Sequence, residues 1–112
     1  MDRLRSPLLP GTLDLLILKT LSVGVLHGYG IAQHIHRLSG DALRIEEGSL
    51  YPALQRMQVK GWVASETKRT TTGRQGRYYR ITAAGRRQLG AEQASFLRSV
   101  AATSRVLRGA ES

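Results

Sequence analysis

Three histidines, eight acidic side chains and no cysteine are what this 112-residue chain offers for metal ligation or proton transfer. His34 and His36 stand two positions apart in a segment of helical pattern, so their rings point about 200° away from each other and cannot close on one ion. No acidic cluster joins them, and no nucleophile is paired with a base at a recognisable spacing. These patterns argue against an enzyme, a metal site or a bound cofactor. Cationic chemistry is better supplied. Seventeen Lys and Arg against eight Asp and Glu leave a net charge of +9. On so small a chain that surplus points to a polyanionic partner, nucleic acid first and an anionic membrane second. The longest apolar stretch, Leu13 to Leu26, is interrupted by Asp14 and Lys19 and falls short of the roughly 20 apolar residues of a membrane span. With no export signal read at its start and no cysteine, the chain suits a reducing cytoplasm, and no membrane partner is expected.

The side chains fit to meet nucleic acid gather in two segments. In the first, Ser49, Tyr51, Pro52, Gln55, Arg56 and Val59 lie off an apolar stripe of Leu50, Ala53, Leu54 and Met57. Gln pairs bidentately with adenine and Arg with guanine, and Pro52 can touch a thymine methyl group. The plainer alternatives are that Tyr51 packs on the neighbouring helices, that Pro52 only starts its own, and that Gln55 and Arg56 are a solvated face. In the second, Lys68, Arg69, Arg74 and Arg77 stand against a single acid, Glu66, a set suited to phosphate contacts. Gly73-Arg74-Gln75-Gly76 also matches the GxxG loop that grips single strands in KH domains. That motif and the charge keep a basic RNA-binding or ribosome-associated domain as the alternative class. The KH loop joins two helices, whereas this one precedes a strand, so a wing tip is the stronger reading.

These segments need a frame to hold them. Residues 1–10 carry two Arg and two Pro before any periodicity begins and read as a basic arm. Thr12 is the expected N-cap of a first helix with Asp14 in its first turn. Leu13, Leu16, Ile17 and Leu21 cover one face of it, Leu15 and Leu18 carry apolar surface round the back, and Gly24 is its expected end. A second helix is expected over Tyr29–Leu38 with Ile31, Ala32, Ile35 and Leu38 inward, followed by a turn at Ser39-Gly40-Asp41. A third covers Ser49–Lys60, with Pro52 in its first turn and Gly61 as its C-terminal cap. Trp62–Thr67 and Arg77–Ile81 read as the strands of a hairpin with Trp62 in the core at its foot. Thr82 caps a last helix over Ala83–Leu107, in which Leu89, Phe96, Val100 and Leu107 keep near-heptad spacing. A lone subunit would leave that seam wet, so a homodimer is expected, with Leu15 and Leu18 as surface for the seam to meet.

The expected fold is thus mainly α with a small β-hairpin wing, a winged helix-turn-helix over 11–82 and a long dimerisation helix over 83–108. Two helices joined by a turn hold the second at a fixed angle for a major groove. A two-fold dimer of such units would bind double-stranded DNA at an inverted-repeat operator.

Leu26-His27-Gly28-Tyr29-Gly30-Ile31, Gly48-Ser49-Leu50-Tyr51-Pro52-Ala53-Leu54, Lys60-Gly61-Trp62-Val63 and Gly76-Arg77-Tyr78-Tyr79-Arg80-Ile81-Thr82-Ala83-Ala84-Gly85 together resemble the PadR family of bacterial transcriptional regulators. The resemblance runs from about Leu9 to Leu107, and its single C-terminal helix is similar to the family's short form. It implies a homodimer with a winged-helix DNA-binding half, a C-terminal dimerisation helix, and repression lifted by a small effector. It also implies a place for Tyr29 beside the DNA backbone, the alternative being an ordinary half-buried tyrosine. Phe96 falls where short members of the family place an aromatic lining an effector cavity between subunits, and its alternative is a plain seam residue. A flat aromatic effector would stack there between Leu15 and Leu89, with Lys19 and Glu92 as polar contacts.

Overall fold

Apolar residues recurring at helical spacing along the first half of the chain converge on one core. The computed structural model describes residues 11–69, 73 and 75–109; the arm expected over 1–10 and the candidate Arg74 lie outside the described residues. The chain runs α1 (Thr12–Leu21), β1 (Leu26–His27), α2 (Gly28–Leu38), α3 (Glu47–Val59), β2 (Val63–Arg69), β3 (Gln75–Ile81) and α4 (Ala83–Gly109). Ile17, Leu18, Leu21, Ile31, Leu50, Leu54 and Met57 are shut off from solvent, and the α3 stripe is buried as its spacing requires. Each such side chain contributes about 1.5–3 kcal/mol of hydrophobic stabilisation.

α1 is the central helix, packed against α2, α3, β3 and α4. That position explains its apolar back. Leu18 is 0% exposed, and Leu15 and Leu89 are 9% exposed, so all three serve the core of one subunit and are not surface held out to a partner. Leu38 departs from its expected inward place: in the last turn of α2 it is 72% exposed.

The helix ends show how local chemistry sets the frame. α1 is capped by Gly11, not Thr12: its φ of 87° is a left-handed conformation that favours glycine, and its carbonyl accepts the Leu15 N–H at 3.1 Å. The helix closes at Leu21, with Ser22 as its cap, before Gly24 is reached. α2 starts one residue early because the His27 ring caps it, Nδ1 accepting the Gly30 N–H at 3.0 Å. α3 begins at Glu47, two residues before the expected start, which moves Pro52 into the second turn. A proline there lacks the N–H that would bond the carbonyl four residues back, but that residue is Gly48, exposed to water. Thr82 caps α4 as its position predicts, Oγ1 accepting the Gly85 N–H at 3.0 Å and donating to the Gly61 carbonyl at 2.6 Å.

The sheet has three antiparallel strands in the order β1-β3-β2. β1 was not expected: it pairs only Leu26 with Tyr79 and His27 with Tyr78, and two residues carry no periodicity. The hairpin is longer than the sequence suggests, pairing Val63 with Ile81 at its foot and Arg69 with Gln75 at its far end. Lys68 and Arg69 therefore sit on a strand. Trp62 is only partly buried against the core, with the Lys60 ammonium 4.8 Å from its ring centroid. α4 runs for 27 residues, about 40 Å, and beyond Phe96 its apolar side chains face solvent. Phe96 itself is partly buried, while Leu97, Val100, Val106 and Leu107 are exposed. Among the described residues no helix is long and apolar enough to cross a membrane.

Candidate nucleic-acid interface

The buried stripe of α3 faces the core, so the opposite face is presented to solvent. Ser49, Tyr51, Pro52, Gln55, Arg56 and Val59 are all exposed on it. They are not equivalent. The Tyr51 ring lies against Gly28 at the start of α2, where a Cβ would collide with its hydroxyl, yet 40% of the residue stays open to solvent. Tyr51 thus packs on the helix pair and also offers an edge outward. Arg56 is held: its Nη2 donates to Asp14 Oδ1 of α1 at 2.7 Å, with the Asp14 side chain 18% exposed and that of Arg56 52%. Sequence reasoning placed Asp14 at the helix dipole and missed this partner, because the two residues lie 42 positions apart.

Beside α3, Tyr29 and Tyr51 line one cleft with Arg44, Glu46 and Glu47. Tyr29 is 63% exposed, and its hydroxyl accepts from Gln33 Nε2 at 3.2 Å. His27 stacks on Tyr29 with ring centroids 6.4 Å apart and meets Tyr78 edge-on at 5.7 Å. The Lys68 ammonium lies 5.7 Å from the Tyr78 centroid. His27 and Tyr78 thus join the surface between α2 and the wing, and only the pairing of β1 with β3 reveals it.

The wing cations are exposed but braced. Lys68 pairs with Glu66 at 3.3 Å, both side chains more than half exposed, a geometry worth at most about 1 kcal/mol that a phosphate can displace. Arg69 Nη1 donates to the Gly73 carbonyl across the turn at 3.2 Å. Arg77 Nη1 donates to Ser65 Oγ at 3.0 Å, and that hydroxyl donates to Gln58 Oε1 of α3 at 2.6 Å. One polar chain therefore ties both strands to the exposed helix. Tyr79 lies behind them, and burial pushes its phenol above the ordinary 10.0, with Tyr51 adding and Arg77 opposing. It stays a neutral packing residue.

The residues expected at a seam or effector site divide. Leu15, Glu92 and Phe96 do line a common cleft of about 230 Å³, with Gly11, Thr12, Ser95 and Ser99. Glu92 there accepts from Gln88 Nε2 at 2.6 Å. Lys19 is elsewhere: it lines a second cleft with Leu16, His34, Leu38 and Leu43 between α1 and α2. The Phe96 cleft opens at the start of α1, and Lys19 is in its last turn, about 10 Å further along the axis. Val100 is 44% exposed on α4. Among the described residues no three His, Asp or Glu gather where they could hold a metal.

A helix pair whose second member exposes a polar face, flanked by a basic β-wing, is the winged helix-turn-helix class of DNA-binding fold. Residues 17–91 match the Transcriptional regulator PadR-like family, and the chain belongs to that family, one of regulators and not of enzymes. An uncharacterised protein of Lysinibacillus sphaericus is 32% identical over 85 residues, 76% of this chain and 78% of that one. A transcriptional regulator from Clostridium thermocellum superposes with a TM-score of 0.78 at 26% identity, over 85% of this chain and 92% of that chain. PadR of Bacillus subtilis, solved in complex with operator DNA, superposes with a TM-score of 0.68 at 24% identity. That match covers 76% of this chain and 47% of the Bacillus subtilis chain, and is a likeness of fold.

Proposed function

We propose that the protein is a cytoplasmic, dimeric, sequence-specific DNA-binding regulator that represses transcription until a small effector releases it. One observation carries this reading: the Arg77–Ser65–Gln58 chain fastens the hairpin that carries Lys68, Arg69 and Arg77 to the exposed helix α3. A helix so placed enters a major groove while the wing meets the flanking phosphates. The operator complex of Bacillus subtilis PadR supports the same use of the fold. In this reading residues 11–82 bind DNA. Ser49, Tyr51, Pro52, Gln55 and Arg56 face the bases, and Tyr29 and the wing cations, Arg74 included, face the backbone. Residues 83–108 dimerise through the exposed apolar side chains of α4, and the operator is an inverted repeat with half-site centres roughly 34–36 Å apart. The effector is a small aromatic compound seated in the Phe96 cleft.

Base readers and phosphate anchors respond differently to truncation. Gln55→Ala is expected to weaken binding to a site selected from a random-sequence library by about 1–3 kcal/mol and leave random duplex unaffected. Lys68→Ala, which removes an exposed ion pair with Glu66 and a contact with the Tyr78 ring, should weaken both duplexes alike and flatten the salt slope by about 0.9. Binding titrations across a salt series measure both. Equal losses on selected and random duplex for Gln55→Ala would show that α3 is not the reading helix.

A further inference from the structure

Arg56 is the one basic residue within α3, on the face that the preceding reading turns toward DNA. Arginine is a favoured reader of guanine edges, but an unheld guanidinium on a long stem also pairs with any phosphate within reach. The structure gives it a partner that changes this. Asp14, largely shielded at the start of α1, takes a charge-assisted hydrogen bond from Arg56 Nη2 at 2.7 Å. Partial burial lessens the screening that makes surface ion pairs weak. The bond engages one edge of a guanidinium that carries five N–H groups, so a fork of donors remains for a second acceptor.

We propose that Asp14 is a positioning residue for DNA readout, which pins Arg56 so that its free donors meet a base edge and its charge is not spent on phosphates. The proposal rests on α3 being the reading helix. A carboxylate close to a guanidinium offsets its charge, which lowers the gain from any random duplex. Fixing the side chain also removes rotamer freedom before binding, which favours the geometry that a bidentate contact needs. Asp14 thus acts on the ratio of specific to random binding through a residue on another helix.

The test uses the full chain, a duplex selected by the protein from a random library, and a random duplex of equal length, titrated over a salt series. Asp14→Asn keeps the shape and removes the charge. It is expected to bind random duplex several-fold more tightly, with a slope of log affinity against log salt steeper by about 0.9. The ratio of selected to random affinity should fall about tenfold. Asp14→Glu keeps the carboxylate and should retain the native salt slope. In an Arg56→Ala background, Asp14→Asn should change none of these quantities.

Thermal unfolding of the same samples separates the purely structural reading. A carboxylate that only fastens α1 to α3 would lower the unfolding midpoint and leave slope and ratio unchanged, and that result overturns the proposal. If Arg56→Ala binds both duplexes as the native protein does, Arg56 does not face DNA. The proposal then fails, while α3 as the reading helix is tested separately by Gln55→Ala.

Discussion

Ending the chain before Glu92 is expected to yield a folded monomer with affinity for its operator reduced about 10²–10⁴-fold, the gain normally supplied by linking two half-sites. The fold says why the body should survive. Leu89 is the last residue of α4 buried in the core, so the cut spares the contacts of α4 with the foot of the wing and removes the Phe96 contact at the start of α1. It also removes the segment with Leu97, Val100, Val106 and Leu107, all exposed in one subunit. Val100 and Leu107 continue the face of Leu89 and Phe96, and such exposed apolar residues need another apolar surface, which a second copy of the same helix offers. Phe96 is lost as well, which uncovers part of the cleft beside Leu15 and should lower stability modestly. Light scattering gives the mass of the truncated chain, and a DNA titration its affinity. A stable dimer from that chain would place the subunit contact elsewhere.

The second large effect concerns packing. Gly85→Ala should destabilise the protein by about 3 kcal/mol, the upper end of ordinary overpacking, and lower its melting temperature by roughly 10–20 °C. The sign runs against helix propensity, in which alanine is favoured over glycine by about 1 kcal/mol. Gly85 is in the first turn of α4, and a Cβ there would collide with the backbone carbonyl oxygen of Trp62 and lie 2.8 Å from Ile81 Cγ1. That carbonyl accepts the Thr82 N–H at 3.0 Å, so it cannot retreat without breaking the join between α4 and the foot of the wing. Gly90, in the same helix, has nothing within 4 Å of a built Cβ. Gly90→Ala should therefore stabilise by about 0.5–1 kcal/mol. Thermal and denaturant unfolding of the pair check both signs, and equal behaviour at the two positions would refute the packing argument.

Elements with strong local signals were legible in the chain. Leu50, Ala53, Leu54 and Met57 recur at the helical period and bury as a stripe, and Thr82 has the side chain and position to cap α4. What the sequence concealed depends on tertiary placement. Leu15 and Leu18 announce a helix buried on more than one side, but only the packing shows that α3 and α4 of the same chain supply the second side. His27 is a cap and a strand residue at once, roles that its neighbours do not signal. Arg56 looks like any exposed arginine until α1 brings Asp14 to it. Lys19 was expected beside Phe96 as a polar contact for an effector, and the length of α1 keeps the two in different clefts. The wing cations were found from composition, whereas their bracing through Ser65 and Gln58 follows from the strand register.

Whether the basic surface reads a duplex sequence or merely gathers polyanions is decided by one equilibrium competition at fixed physiological salt. The protein, held on its library-selected duplex, is challenged with that duplex, with random duplex of the same length and with RNA. A winged-helix regulator should prefer its selected site over random duplex and over RNA by about 10³-fold or more, with the two non-specific competitors acting alike through phosphate attraction. RNA that displaces the protein as effectively as the selected duplex would contradict the account and favour an RNA-binding domain.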